Sequence, residues 1–363
     1  MSHHSEAATI LDIRPKNAID RMGANNDVCL LNLKDILKVL ASKPVILMAC
    51  NIRIKHAVPG IMRAAQELDA VLGFELARSE GNLDGGYTGQ TPEIFFDMVT
   101  GYAKEINFTK PFFIHADHIT VKTNIQEAID KAKALIAAQL KAGFTSFAID
   151  ASFQQIPENI DITTKLAQPI IDQGLCLEVE VGEVKSTGTT AEISTLEDAT
   201  SFISGLKANG IHPDLLAINN GSKHGNYLAG EAVSIDLDRT LEIYNAIKGD
   251  GVLIAQHGIT GTPLSVVGKF ADYGIRKGNV GTQWQNVAHE FIPEKLMNEM
   301  KAWSEKEGKN LKMATKVFKE QIDNIPEENK KQIEQKAYES AKEFIIAFRA
   351  NGTASQVISG LIG

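Results

Sequence analysis

The chain has 363 residues, of which 44% are hydrophobic and 23% charged, and a formal net charge of −8. This is the balance of an ordinary soluble globular chain, and the negative charge argues against a broad surface for nucleic acid or an anionic membrane. No apolar run nears the eighteen residues of a membrane span, no signal-peptide pattern opens the chain, and Cys29, Cys50 and Cys176 form no CxxC pair, so a cytoplasmic protein with reduced thiols is expected.

Strand signals recur at 44–50 (PVILMAC), 71–77 (VLGFELA), 111–117 (PFFIHAD), 146–151 (SFAIDA), 176–182 (CLEVEVG), 215–220 (LLAINN), 252–257 (VLIAQH) and 274–280 (GIRKGNV). Helical patterns lie between them, at 124–142, 196–209 and 236–248. The second carries an i, i+3, i+4 stripe of Leu196, Ala199, Phe202, Ile203 and Leu206, and Asp236 stands where an N-cap belongs. Nearly continuous apolar strands alternating with helices indicate a parallel sheet covered on both faces. Eight such repeats favour closure, giving an α/β chain of the (β/α)8 TIM-barrel type, with an open doubly wound sheet as the competing architecture. The barrel core is expected over about 44–290 within a single domain spanning 1–363. A helical extension follows over about 291–363, charged in its middle (KEGKNLK, PEENKKQIEQK). Its amphipathic finish through Ile345, Ile346 and Phe348 suits packing on the barrel or on a partner subunit.

Three histidines follow short apolar runs and precede glycine or polar residues: His118 in PFFIHADH, His224 in LLAINNGSKHG and His257 in VLIAQHG. Glu180 closes CLEVEV, and Asp150 ends the fourth strand. Parallel strands of a barrel open their C-termini onto one face, so these residues converge although they are far apart in sequence. Three neutral imidazoles and a carboxylate suit zinc. A lone histidine is more often a hydrogen-bonded structural group; three at three strand ends favour a metal site. For Asp150 and Glu180 the plainer roles are helix capping or pairing with a cation. Side chains alternate along a strand, so His115, Asp117 and His118 cannot all face one way, and the third strand is expected to end near Asp117. Lys223 raises the alternative of a Schiff-base lysine, although a loop position fits a surface cation better. Gly221, Gly225, Gly258 and Gly261 would let the backbone approach an anion.

Taken together, these motifs resemble the class II, zinc-dependent ketose-bisphosphate aldolases. IHADH (114–118) fits the family's HxDH motif and LEVEVG (177–182) its ExE[LIVM]G motif. NGSKHGNY (220–227) is similar to the HGxY loop, QHGITG (256–261) to the HGxSG loop, and GFTSFAIDASFQQIPENI (143–160) to the GFTSVMIDGSH segment. ACNIR (49–53) resembles the first-strand FN, and NVGTQW (279–284) the eighth-strand N(I)DTDTQW. The resemblance runs in order over roughly 44–290. It implies reversible cleavage of a ketose (bis)phosphate, above all fructose 1,6-bisphosphate, to dihydroxyacetone phosphate and an aldehyde through a zinc-stabilised enediolate. It implies His118, His224 and His257 as zinc ligands, Glu180 as a carboxylate ligand in one zinc position, and Asp150 beside a second metal position, with room for a second metal or a monovalent cation. Asp117 matches the acid–base at the C4 hydroxyl. Gly225, Gly258, Thr260, Asn279 and Thr282 match positions holding the ketose phosphate, and Asn51 and Ser79 match substrate contacts. A homodimer or higher homo-oligomer is implied as well.

The departures from the family lie around substrate recognition. After ExExG the chain reads EVKSTGTTAE instead of a glycine pair with acidic residues, so the base on that loop is assigned to Glu192, with Glu183 second. The lysine after HGxY is replaced by Leu228 and Ala229, the eighth-strand aspartate is Gly281, and HGxSG has become HGITG. A sugar-phosphate-binding descendant without turnover is therefore one alternative. A TIM-barrel zinc hydrolase is another, though it would want a first-strand HxH pair and a late strand-end aspartate, and the chain offers neither.

Overall fold

The computed structural model describes residues 9–182, 193–227 and 233–363. Eight parallel strands close into a barrel in chain order: β1 (Leu47–Asn51), β2 (Leu72–Ala77), β3 (Phe112–Thr120), β4 (Ser146–Asp150), β5 (Cys176–Val181), β6 (Leu215–Ile218), β7 (Leu253–Gln256) and β8 (Ile275–Val280). Pairing of β8 with β1 completes the ring and rules out the open sheet.

Two strands differ from expectation where it bears on function. β3 does not end near Asp117. Its register against β4 shifts between Ala116 and Ile119, and His118 adopts φ +44° inside that irregularity. The bulge turns the His118 side chain while strand pairing resumes at Ile119, so a local kink does what an early strand end was expected to do. β6 stops at Ile218, which leaves Asn219, Asn220 and His224 on the loop beyond it.

The barrel interior is layered, because alternate residues of each strand face inward. At the bottom Leu47, Phe113, Cys176, Leu215 and Leu253 form one apolar cluster with Leu33, Ile36, Leu37 and Leu40 of helix Leu33–Leu40 and Ala354 and Val357 of helix Thr353–Ile362. Neither helix is evident from the strand–helix alternation, yet together they plug the floor. Gly73 is required here, since a Cβ would lie 2.2 Å from the Phe113 ring. The middle layer holds Glu75, His115, Glu178 and Lys277, all fully buried. The top layer carries Asn51, Asp117, Asp150, Glu180, His257 and Asn279.

The anticipated helices form as Gln126–Ala142, Leu196–Ala208 and Leu237–Ile247, the last capped by Asp236 accepting from Arg239 N. In the C-terminal extension, helix Glu327–Ala347 packs on helix Val58–Leu68. A Cβ on Gly60 would lie 2.0 Å from the Glu334 carbonyl oxygen, so only glycine permits that approach. Ile345 and Phe348 enter the chain's own core, while Ile346 stays exposed. Among the described residues no helix is long and apolar enough to cross a membrane.

Candidate metal centre

The three histidines meet above the barrel. His118 comes from the β3 bulge, His257 follows β7 directly, and His224 arrives on the β6 loop, with ring centroids 4.5 to 6.1 Å apart. One ligand atom of each lies within 4.8 Å of the others. His257 Nε2 is 2.8 Å from Glu178 Oε1, which fixes the proton on that nitrogen and bares Nδ1. Nδ1 then faces His118 Nε2 at 2.9 Å, while His118 Nδ1 lies 2.9 Å from Glu180 Oε1 and 3.6 Å from Asp150 Oδ2.

Two lone pairs cannot face each other at that distance without a proton or a cation between them. Tetrahedral zinc with bonds of about 2.0–2.1 Å to nitrogen would hold such atoms roughly 3.3 Å apart, a small adjustment from the geometry present. The donor set therefore fits a zinc ion.

The electrostatics are consistent with that fit. Burial pulls the His118 imidazole down, but Asp117, Glu180 and Asp150 outweigh it and hold its pKa well above the usual range. Burial, then His118 and His257, push His224 down to about 3, leaving a neutral imidazole. Burial and the neighbouring Asp150 lift Glu180 to about 7.

Asp117 stands beside this centre and is clamped from both sides. Its Oδ2 accepts from Asn51 Nδ2 at 2.8 Å and its Oδ1 from Asn279 Nδ2 at 3.1 Å. Burial alone would raise its pKa, yet His118, His257 and Lys277 hold the carboxyl below the usual carboxylate range. It is a fixed, ionised acceptor.

A cavity of about 550 Å³ opens over these residues. Asn51, Ser79, Asp117, His118, His224, Gly225, His257, Gly258, Thr260, Asn279 and Thr282 all line it. Asp150 and Glu180 instead border a second cavity on the far side of His118 and His224. Glu192 and Glu183, and with them the loop base, lie outside the described residues, as do Leu228 and Ala229. Lys223 is not among the described residues lining the first cavity, and its backbone packs against Gly258, where a Cβ would lie 2.6 Å from the Lys223 carbonyl oxygen.

Sequence reasoning missed two groups. Glu178 and Lys277 support the metal side from the middle layer. The ExE spacing was a usable signal for Glu178, since a period of two puts it on the same barrel face as Glu180. Arg53, Glu80, Tyr87 and Lys312 form the opposite wall of the cavity. They come from two loops and the C-terminal extension, and no spacing links them.

Residues 31–350 match the family model described as fructose-bisphosphate aldolase class-II. The chain belongs to that family. It is 30% identical over 269 residues to fructose-bisphosphate aldolase of Staphylococcus epidermidis, covering 72% of this chain and 84% of that protein. Among solved structures, the YdjI aldolase of Escherichia coli K12 superposes with a TM-score of 0.63 at 19% identity over 90% of this chain and 99% of that one. Fructose-bisphosphate aldolase of Campylobacter jejuni does so with a TM-score of 0.63 at 17% identity, over 88% and 95%. His118, His224, His257, Asp117, Gly225 and Gly258 lie in this chain around one cavity, and Gly281 is on the same cavity wall.

Proposed function

We propose that this chain is a zinc-dependent aldolase that cleaves a ketose phosphate, fructose 1,6-bisphosphate foremost, to dihydroxyacetone phosphate and an aldehyde. The observation that carries the reading is the facing pair His118 Nε2 and His257 Nδ1, 2.9 Å apart beside the clamped carboxylate of Asp117. His118, His224 and His257 would hold the ion, with Glu180 available as a carboxylate donor. When bound, zinc supplies Lewis acidity toward the negative charge that develops as the C3–C4 bond breaks.

The chain's own residues do the remaining work. Asp117, ionised and oriented by Asn51 and Asn279, accepts the C4 hydroxyl proton in cleavage and returns it in condensation. Gly225 and Gly258 have φ values of +101° and +67°, which open their backbones to the ketose phosphate. Thr260 and Thr282 place hydroxyls on the same wall, and Thr260 Oγ1 is fixed by accepting from Gln283 N at 3.2 Å. Asn51 and Ser79 reach the other half of the sugar.

The test is release of dihydroxyacetone phosphate from fructose 1,6-bisphosphate in a coupled assay, before and after chelation. Activity should vanish on chelation and return with zinc. Cleavage that survives exhaustive chelation, or covalent trapping by borohydride on Lys223, would replace the metal reading with an imine one.

A further inference from the structure

The residues on either side of His257 grip the loop that carries His224. Side chains alternate along a strand, so Gln256, the last residue of β7, points away from the barrel interior and toward helix Leu237–Ile247. There it is fully buried, as are Asn220, Ser222 and Thr240 around it. A carboxamide at that depth is tolerated only with its hydrogen bonds made. Gln256 Oε1 accepts from Asn220 Nδ2 at 2.7 Å. Its Nε2 reaches Asn220 Oδ1 at 3.2 Å, Ser222 Oγ at 3.0 Å and the His257 carbonyl oxygen at 2.8 Å. The two amides face each other head to head.

Asn220 also closes the stem of the loop. Its Nδ2 donates to Thr240 Oγ1 at 3.0 Å, and its carbonyl oxygen accepts from Asp236 N at 2.8 Å. One residue on, a Cβ at Gly221 would lie 2.4 Å from the Ser234 carbonyl oxygen, so the two ends of the loop run in close contact. On the other side of His257, Gly258 meets the Lys223 backbone, where a Cβ would lie 2.8 Å from the carbonyl carbon and 2.9 Å from the nitrogen. Positions 220, 222 and 223 are thus all held by positions 256 and 258, and His224 is the next residue along. Gln256, Asn220 and Ser222 line neither cavity beside the histidines, so they touch the site only through its ligands.

We propose that Gln256 is a positioning residue for His224: paired with Asn220, it fastens the β6 loop to the end of β7, so that the loop ligand stands beside His257 before any ion arrives. This rests on the reading of the three histidines as metal ligands. His118 and His257 sit on or directly after strands, whereas His224 lies six residues beyond the end of β6 and has no strand of its own to hold it. An unfastened loop would spend part of its time with His224 away from the site, and metal affinity falls by the fraction of chains that are competent. The carboxamide keeps that fraction high without meeting the ion or the substrate.

The experiment strips the full chain of metal and measures zinc affinity by competition with a chromophoric chelator. Gln256→Met should weaken binding about 10–100-fold, the range for losing an outer partner of a metal ligand. Ser222→Ala, a milder change that removes one bond of the grip, should weaken it about fivefold, the scale of one neutral hydrogen bond. Thr240→Val cuts the bond from Asn220 to the helix and leaves the bonds to Gln256, so its zinc affinity should stay near wild type. The visible spectrum of cobalt-loaded Gln256→Met should shift toward that of His224→Ala. Wild-type affinity in Gln256→Met, or in Ser222→Ala if the methionine variant does not fold, would overturn the proposal. So would an equal loss in Thr240→Val, which would make the network merely structural. His224→Ala separates the two readings: its loss of zinc beside an unaffected Gln256→Met sinks this inference alone, and zinc binding indifferent to His224→Ala sinks the metal reading beneath it.

Discussion

The middle layer of the barrel and the rim above it are both assembled from imidazoles and carboxylates. In the middle layer His115 Nε2 lies 3.9 Å from Glu75 Oε1 and 3.6 Å from Glu178 Oε2, while His118, His224 and His257 meet at the rim. The difference lies in what fills the space between them. In the middle layer the chain supplies its own cation, with Lys277 Nζ 2.7 Å from Glu75 Oε1 and 2.9 Å from Glu178 Oε2. Burial opposes the charge on Lys277, but Glu178 and Glu75 outweigh it and raise its pKa above the usual lysine value. Burial and that ammonium push His115 down to about 3. At the rim the three imidazoles meet instead, with His118 Nε2 2.9 Å from His257 Nδ1. Residue type alone therefore does not mark a metal site; an internal cation turns the same inventory into a structural ion cluster.

That contrast can be broken from either side. The largest effect is expected at Asp117, which belongs to the rim by chemistry and to the layer below through the chain Lys277–Asn279–Asp117. Asp117→Ala should cut kcat by roughly 10²–10⁴, the range for losing a general acid–base group, while zinc content stays at wild-type level. Proton exchange into dihydroxyacetone phosphate, which bypasses C4, should fall much less. An equal fall in both would place Asp117 elsewhere in the mechanism.

Lys277→Met attacks the built-in cation instead. It leaves Glu75 and Glu178 buried without a counter-charge and should cost about 3–5 kcal/mol of stability in denaturant titration. Adding Glu75→Gln should recover part of the loss, because it removes one of the two stranded charges. A single variant as stable as wild type would show that the middle layer is not held by this pair.

Glu178→Gln probes the joint between the layers, since Glu178 touches both Lys277 and His257. Removing the carboxylate behind a metal-bound imidazole usually weakens metal affinity by about 10–100-fold, and competition with a fluorescent chelator should read a loss of that size. An unchanged affinity would mean that His257 is not a ligand oriented by Glu178.

The smallest effect concerns pH on the opposite wall. Burial, then Arg53 and Lys301, lower the His289 pKa from its ordinary 6.5 to about 4. Between those values the unfolded chain binds the proton and the folded one does not. The stability from this group is therefore complete above about 6.5 and is lost as pH falls through 4. His289→Asn should lose less stability than wild type between pH 7 and 4 in parallel thermal melts. Matching losses would show that His289 titrates alike in both states.

Much of the site was legible in the sequence because a parallel barrel turns strand ends into neighbours. His257 and Glu180 needed only the strand boundaries, and the eightfold alternation gave the closed barrel. His118 was placed correctly at the rim for an incomplete reason, since a bulge with φ +44° has no clear signature in HADHIT. The floor helices were harder. Leu33–Leu40 and Thr353–Ile362 meet across the whole length of the chain, and nothing local announces that contact. The Arg53, Glu80, Tyr87 and Lys312 wall was illegible for a similar reason: it depends on how the extension folds back over the loop after β2. Lys277 in IRKGNV reads as an ordinary polar strand residue until its two carboxylate partners are seen.

The central claim is that the rim binds a metal ion through His118, His224 and His257. Anomalous diffraction from zinc-loaded crystals, collected on both sides of the zinc absorption edge, tests it most directly. The account predicts one strong peak per chain among those three imidazoles, within about 2.0–2.2 Å of a nitrogen of each, and none beside Glu75, His115 and Lys277. A peak in the middle layer, or a rim free of zinc at full loading, would contradict it.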